Sequence, residues 1–184
     1  VEPPNQCGDI RILLKPSVGA TARVMLVVDR SYSMVESEDR WTPITDALIE
    51  VTRALEGAVE FGLVTFPDPN PGQIPPGVVE ACVPGRVQVS PDFDTAEQIE
   101  RMLDVSEPRF GQGTPTASAL EAAGQALSER PTPSDFIVLA TDGGPGCNQR
   151  LDPQACTCLN ASCVLFDMAE NCLDDARTIE TVRR

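Results

Sequence analysis

Arg23-Val24-Met25-Leu26-Val27-Val28-Asp29-Arg30-Ser31-Tyr32-Ser33-Met34 joins an apolar run to a polar turn. The run from Val24 to Val28 is mostly β-branched and has no polar alternation, as in a central parallel strand covered on both faces. It stops at the carboxylate of Asp29, and hydroxyls follow on alternate residues, Ser31 and Ser33. In open α/β sheets ligands bind outside the carboxyl ends of the strands, which makes this turn the first candidate site. Taken alone the pattern is weak, because carboxylates and serines in turns commonly accept from or donate to local backbone groups.

Working outward, Thr42-Pro43 offers an N-cap and a first-turn proline. Ile44, Ala47, Leu48, Val51, Ala54 and Leu55 repeat at helical spacing, and Gly57 predicts the stop. Glu60 to Phe66 reads as a second strand and the Pro- and Gly-rich 67–77 stretch as a loop. Val78 to Val89, which carries Cys82, reads as an irregular edge hairpin. Thr95 and Gln98 predict a capping box for a helix with an Ile99, Met102, Leu103 face that ends near Val105. Gly111-Gln112-Gly113-Thr114-Pro115-Thr116 then leads into a helix burying Ala117, Leu120, Ala123 or Gly124, and Leu127. Asp135 to Thr141 is a third strong strand and ends in Thr141-Asp142-Gly143-Gly144. Asp174 to Arg184 reads as a helix with acidic residues in its first turn and Arg183-Arg184 in its last.

Alternating strands and helices imply an α/β fold: a doubly wound, mainly parallel sheet flanked by helices. Residues 1–21 are expected to form an extended N-terminal arm, which Cys7 ties down. Residues 22–184 then form one domain, with 143–172 as a cysteine-rich insertion. At 184 residues and 41% hydrophobic content a single aliphatic core is the default.

The net charge of -14 argues against nucleic acid and anionic membrane surfaces as partners. No apolar run is long enough to span a bilayer. With no histidine, Ser-His and Cys-His nucleophile pairs cannot form within the chain. Of the seven cysteines, five crowd between Cys147 and Cys172. That usage suits disulfides in an oxidising compartment. It fits a Cys₄ zinc site less well, since Cys156, Cys158, Cys163 and Cys172 lack paired Cys-x-x-Cys spacing. Two or three bridges are expected, mostly inside Cys147 to Cys172. The protein is accordingly read as secreted or surface-exposed, periplasmic or extracellular, with Val1 following a removed leader.

Thr114 just before a helix and Asp142 just after a strand lie in the order that brings them to the same sheet edge as Asp29, Ser31 and Ser33. With these residues the sequence resembles the von Willebrand factor A (vWA) family. The metal-ion-dependent adhesion site of that family uses an Asp-x-Ser-x-Ser turn, a loop threonine and a later aspartate. The resemblance runs from about Ala22 to Asp142 and includes the Gly-Thr-Pro-Thr and Thr-Asp-Gly contexts; Tyr32 stands where the family has glycine. It implies a divalent cation, Mg²⁺ or else Ca²⁺ or Mn²⁺, held by Ser31, Ser33 and Thr114, with Asp29 and Asp142 acting through water. Oxygen donors suit these hard cations.

The function so implied is a metal-dependent, adhesion-type module that grips an acidic residue of a protein ligand, and not an enzyme. A metal-stapled structural domain of a secreted multidomain protein is the alternative. A metal-dependent hydrolase is disfavoured, because a phosphatase of this kind wants an aspartate where Ser31 stands. Three strong strands and one weak edge fall short of the family's sheet. A second chain or a missing C-terminal segment is therefore expected beside the strand that ends at Asp142.

Overall fold

The computed structural model describes residues 21–74, 76, 78, 80–148 and 173–183. The N-terminal arm, Cys7 and any bridge within 149–172 lie outside these residues. The apolar run forms β1 (Ala22–Asp29), buried from Arg23 onward. It is followed by a short helix α1 (Ser33–Glu36), then α2 (Trp41–Leu55), β2 (Val59–Phe66), a 3₁₀ turn (Glu80–Cys82), β3 (Arg86–Asp92) and α3 (Ala96–Asp104). After these come α4 (Thr116–Ser128), β4 (Asp135–Ala140) and α5 (Asp175–Val182).

The sheet order is β3-β2-β1-β4. β1 pairs in parallel with both β2 and β4, whereas β3 is antiparallel to β2 with bulges near Leu63. This is the mainly parallel, helix-flanked sheet that the sequence predicts. One face buries Val24, Leu26 and Val28 with Trp41, Phe61, Ile99 and Leu103 under α2 and α3. The other buries Met25, Val27, Val64 and Phe66 against Ala119, Ala123 and Leu127 of α4. Ala123, not Gly124, is thus the buried member of that pair. None of the helices among the described residues is long and apolar enough to cross a membrane.

Several local expectations are corrected. α2 starts before Thr42, and the carboxylate of Asp39 caps it by accepting from Thr42 N at 3.0 Å. The apolar arc of α2 is wider than the sheet covers. The buried side carries Trp41, Thr45 and Thr52, and Val51 and Leu55 stay exposed. Both threonines can be buried because their hydroxyls donate back to carbonyls of the same helix. The Thr95–Gln98 capping box does not form. Thr95 Oγ1 instead donates to Phe61 O of β2 at 2.9 Å, and the Glu56 carboxylate accepts from Ala96 N at 3.1 Å.

The 78–89 stretch is not a hairpin but the 3₁₀ turn followed by the antiparallel edge strand β3. α5 ends before the terminal arginines, and its basic residue Arg177 reaches sideways to Glu121 of α4.

Candidate functional site

β1 carries Asp29 to the carboxyl edge and buries it fully. The strand therefore includes Asp29, and Ser33 opens α1, so the turn proper is narrower than the sequence suggests. Asp29 Oδ1 accepts from Ser31 N at 2.7 Å, the local capping that such a turn favours. Its Oδ2 accepts from Thr141 Oγ1 at 2.6 Å. The parallel register pairs Val28 with Ala140, so the next residues, Asp29 and Thr141, meet across the sheet. Burial pushes the Asp29 carboxyl up to about 6, the Thr141 and Ser31 hydrogen bonds oppose the rise, and the charge of Asp142 adds to it.

Ser31 Oγ and Ser33 Oγ lie 3.0 Å apart, and Ser33 Oγ donates to Asp142 Oδ1 at 2.8 Å. Two carboxylates and two serine hydroxyls from opposite ends of the chain thus form one cluster. Thr114, the fifth expected residue, is nearly buried just ahead of α4. Backbone bonds of its loop bring it to this edge: Tyr32 N donates to Gln112 O at 3.2 Å and Gly113 N to Ala81 O at 2.8 Å. Hydrogen bonds join Asp29, Ser31, Ser33 and Asp142 through their side chains or turn backbone; Thr114 arrives only by its loop.

Five further features escape a reading by motif. Thr141 fixes Asp29, and its only signal is its place before Asp142. Arg40 Nη1 donates to Asp142 Oδ2 at 3.3 Å and to Ser33 O at 3.1 Å, a contact no spacing rule foretells. The guanidinium of Arg30 is buried and donates to the carbonyls of Ser106, Pro67 and Glu107. It clamps two loops beside the turn. Burial pushes it down to about 10, helped by the charge of Arg109. The ring of Tyr32 meets the exposed Phe110 edge-on, with centroids 5.1 Å apart.

The fifth feature concerns the cysteines, and the bridges expected among those of 149–172 lie outside the described residues. Cys147 pairs with Cys82, 65 residues away, and not within the cysteine-rich stretch. The bridge ties the turn before β3 to the loop after β4 and packs on the Thr114 loop. A Cβ on Gly113 would lie 2.9 Å from Cys147 Sγ, so only glycine fits there without displacement. The 3₁₀ turn that holds Cys82 could not be seen in the sequence, and with it the pairing was hidden.

Among the described residues, no group of three or more His, Cys, Asp or Glu side chains gathers to hold a metal. A cation at this edge has to be met by mixed carboxylate and hydroxyl oxygens. That is the donor chemistry of a hard divalent ion, with neither sulfur nor imidazole.

The family model of the von Willebrand factor type A domain matches residues 24–145. None of the curated proteins matches the chain. Among solved structures, the vWF domain of the type V pili tip protein Mfa5 from Porphyromonas gingivalis is similar at TM-score 0.53 and 17% identity, over 67% of this chain and 38% of that one. The PilB minor pilin from Streptococcus sanguinis matches at TM-score 0.51 and 17% identity, over 74% of this chain and 34% of its own. Proximal thread matrix protein 1 from the mussel byssus matches at TM-score 0.51 and 18% identity, over 70% and 32%. The chain spans about a third of these chains, and at such identities the likeness is one of fold.

Proposed function

The chain belongs to the von Willebrand factor type A domain family, and on that premise we propose that it is a binding module acting outside the cytoplasm, which grips a protein ligand through a divalent cation. Ser31, Ser33 and Thr114 would hold Mg²⁺, or Ca²⁺ or Mn²⁺, with Asp29 and Asp142 behind them. The bound cation would supply an open position for an acidic side chain of the partner. The observation that carries this reading is the convergence of Ser31, Ser33 and Asp142 beside the buried Asp29. A buried carboxylate whose pKa has risen lacks a counter-charge, and a dication at that spot would provide one.

The Cys82–Cys147 bridge supports an oxidising compartment. The names of two similar structures, a pilus tip protein and a minor pilin, support surface display. With hydroxyls and carboxylates at this edge, and no histidine in the sequence, binding is favoured over catalysis. The hydrogen bonds already linking Asp29, Ser31, Ser33, Thr141 and Asp142 favour a second reading, in which the cation only fastens the loops.

Calorimetry with MgCl₂ on the whole chain tests the proposal. Asp29→Asn should abolish Mg²⁺ binding while the circular dichroism spectrum is retained, and unchanged affinity in that variant would overturn the assignment. If Mg²⁺ binds the wild type but acidic peptides never join it, the fastening role replaces the grip.

A further inference from the structure

Arg40 is a cation that already meets a carboxylate of this edge. Its backbone is fixed at the start of α2, where Arg40 N donates to Met34 O at 2.9 Å. Its guanidinium gives Nη1 to Asp142 Oδ2 and Ser33 O. Nη2 faces the carboxylate of Glu38 across 3.6 Å, and that glutamate is 79% exposed. The Asp142 side chain is 9% exposed and that of Arg40 38%, so the pair bridges the buried cluster and solvent. A guanidinium has five N–H donors in a planar fork, and these contacts leave part of the fork turned to water.

A dication held by Ser31, Ser33 and Thr114, with Asp142 behind it, would compete with Arg40 for the field of that carboxylate and repel its charge. The guanidinium would then be left beside the metal with the donor that Asp142 had held free for an anion, in competition with Glu38. A ligand carboxylate on the metal would bring neighbouring groups of the partner to that position. On a chain of charge -14, Arg40 is a half-exposed positive charge at the rim of this edge.

Resting on the metal-dependent grip described above, we propose that Arg40 is a specificity-determining residue: it opposes the cation at Asp142 in the metal-free protein and, with metal bound, pairs with a second carboxylate of the ligand. The site therefore prefers adjacent acidic residues to a lone one.

The test uses the full chain, Arg40→Gln and Arg40→Lys, titrated first with MgCl₂. At saturating Mg²⁺ they are then titrated with end-capped peptides Gly-Asp-Gly and Gly-Asp-Asp-Gly. A charge-assisted hydrogen bond is worth roughly tenfold in affinity, so wild type should favour the paired-acid peptide by about that factor. Arg40→Gln should lose the preference and bind Mg²⁺ several-fold more tightly, while Arg40→Lys keeps part of both behaviours. A role in folding alone would not move the two affinities in opposite directions. Retained preference in Arg40→Gln, or weaker Mg²⁺ binding there, overturns the proposal. Wild type that binds Mg²⁺ and both peptides with equal affinity defeats this inference only, whereas wild type that binds Mg²⁺ and neither peptide defeats the grip too. Wild type that binds no Mg²⁺ defeats the grip as well.

Discussion

β1 and β4 lie side by side, paired from Arg23 with Asp135 to Val28 with Ala140, and are built from the same kinds of residue. Yet Met25, Val27 and Val28 in β1 are inaccessible, whereas Phe136, Ile137, Val138 and Leu139 in β4 are all 38–44% exposed. The difference lies in their neighbours. β1 has a strand on each edge and helices over both faces. β4, among the described residues, pairs only with β1, and a groove of about 840 Å³ between it, α4 and α5 is lined by Ile137, Leu139 and Val182. An apolar run states that a strand can be buried; the elements beside it decide how far it is.

The largest effect expected concerns what holds the carboxyl end of β4. The Cys82–Cys147 bridge spans the carboxyl edge from the turn before β3 to the loop after β4. Replacing both cysteines by alanine should destabilise the domain by about 4 kcal/mol, the loop-closure value for such a separation. Hydrogen exchange should rise more at β4 amides than at β1 amides. Equal protection of the two strands in the variant would show that β4 is held by something other than the bridge.

A direct comparison comes next. Leu26→Ala should lower stability in urea by about 3 kcal/mol, because the side chain is buried and its removal leaves a cavity. Leu139→Ala, at a position 39% exposed, should lower it by about 1 kcal/mol. Equal losses would mean that β4 is covered in solution as β1 is.

The smallest effect is electrostatic and joins the two strands. Arg23 of β1 donates to both carboxylate oxygens of Asp135 in β4, at 2.8 and 2.6 Å, and to Leu127 O. Burial works to raise the Asp135 carboxyl, but the hydrogen bonds from Arg23 and Thr132 outweigh it and hold it below its ordinary value. A carboxyl depressed by folding stabilises the fold above the unfolded pKa, and this contribution is lost as pH falls through about 4 and below. Asp135→Asn should lower stability near pH 7 and approach the wild type as pH falls, which flattens the acid limb of a stability-against-pH curve. An unchanged acid limb would remove Asp135 from the account.

The sequence by itself determined the parallel core strand, the alternation of the main strands and helices, and which residues end at the carboxyl edge. These are local or periodic signals: a continuous apolar run ending in Asp29, and Thr-Asp-Gly after another. The family resemblance supplied the pairing of those signals across the chain. The tertiary structure decided what depends on partners far apart in sequence. Thr95 left its capping box for a strand carbonyl because β2 passes within reach. α2 buried one side of a broad apolar arc because the sheet can cover only part of it. Cys147 met Cys82 because a turn near the opposite sheet edge comes down on the Thr114 loop. Arg40 reached Asp142 for the same kind of reason: the start of α2 and the end of β4 meet above β1, and spacing along the chain carries no record of it.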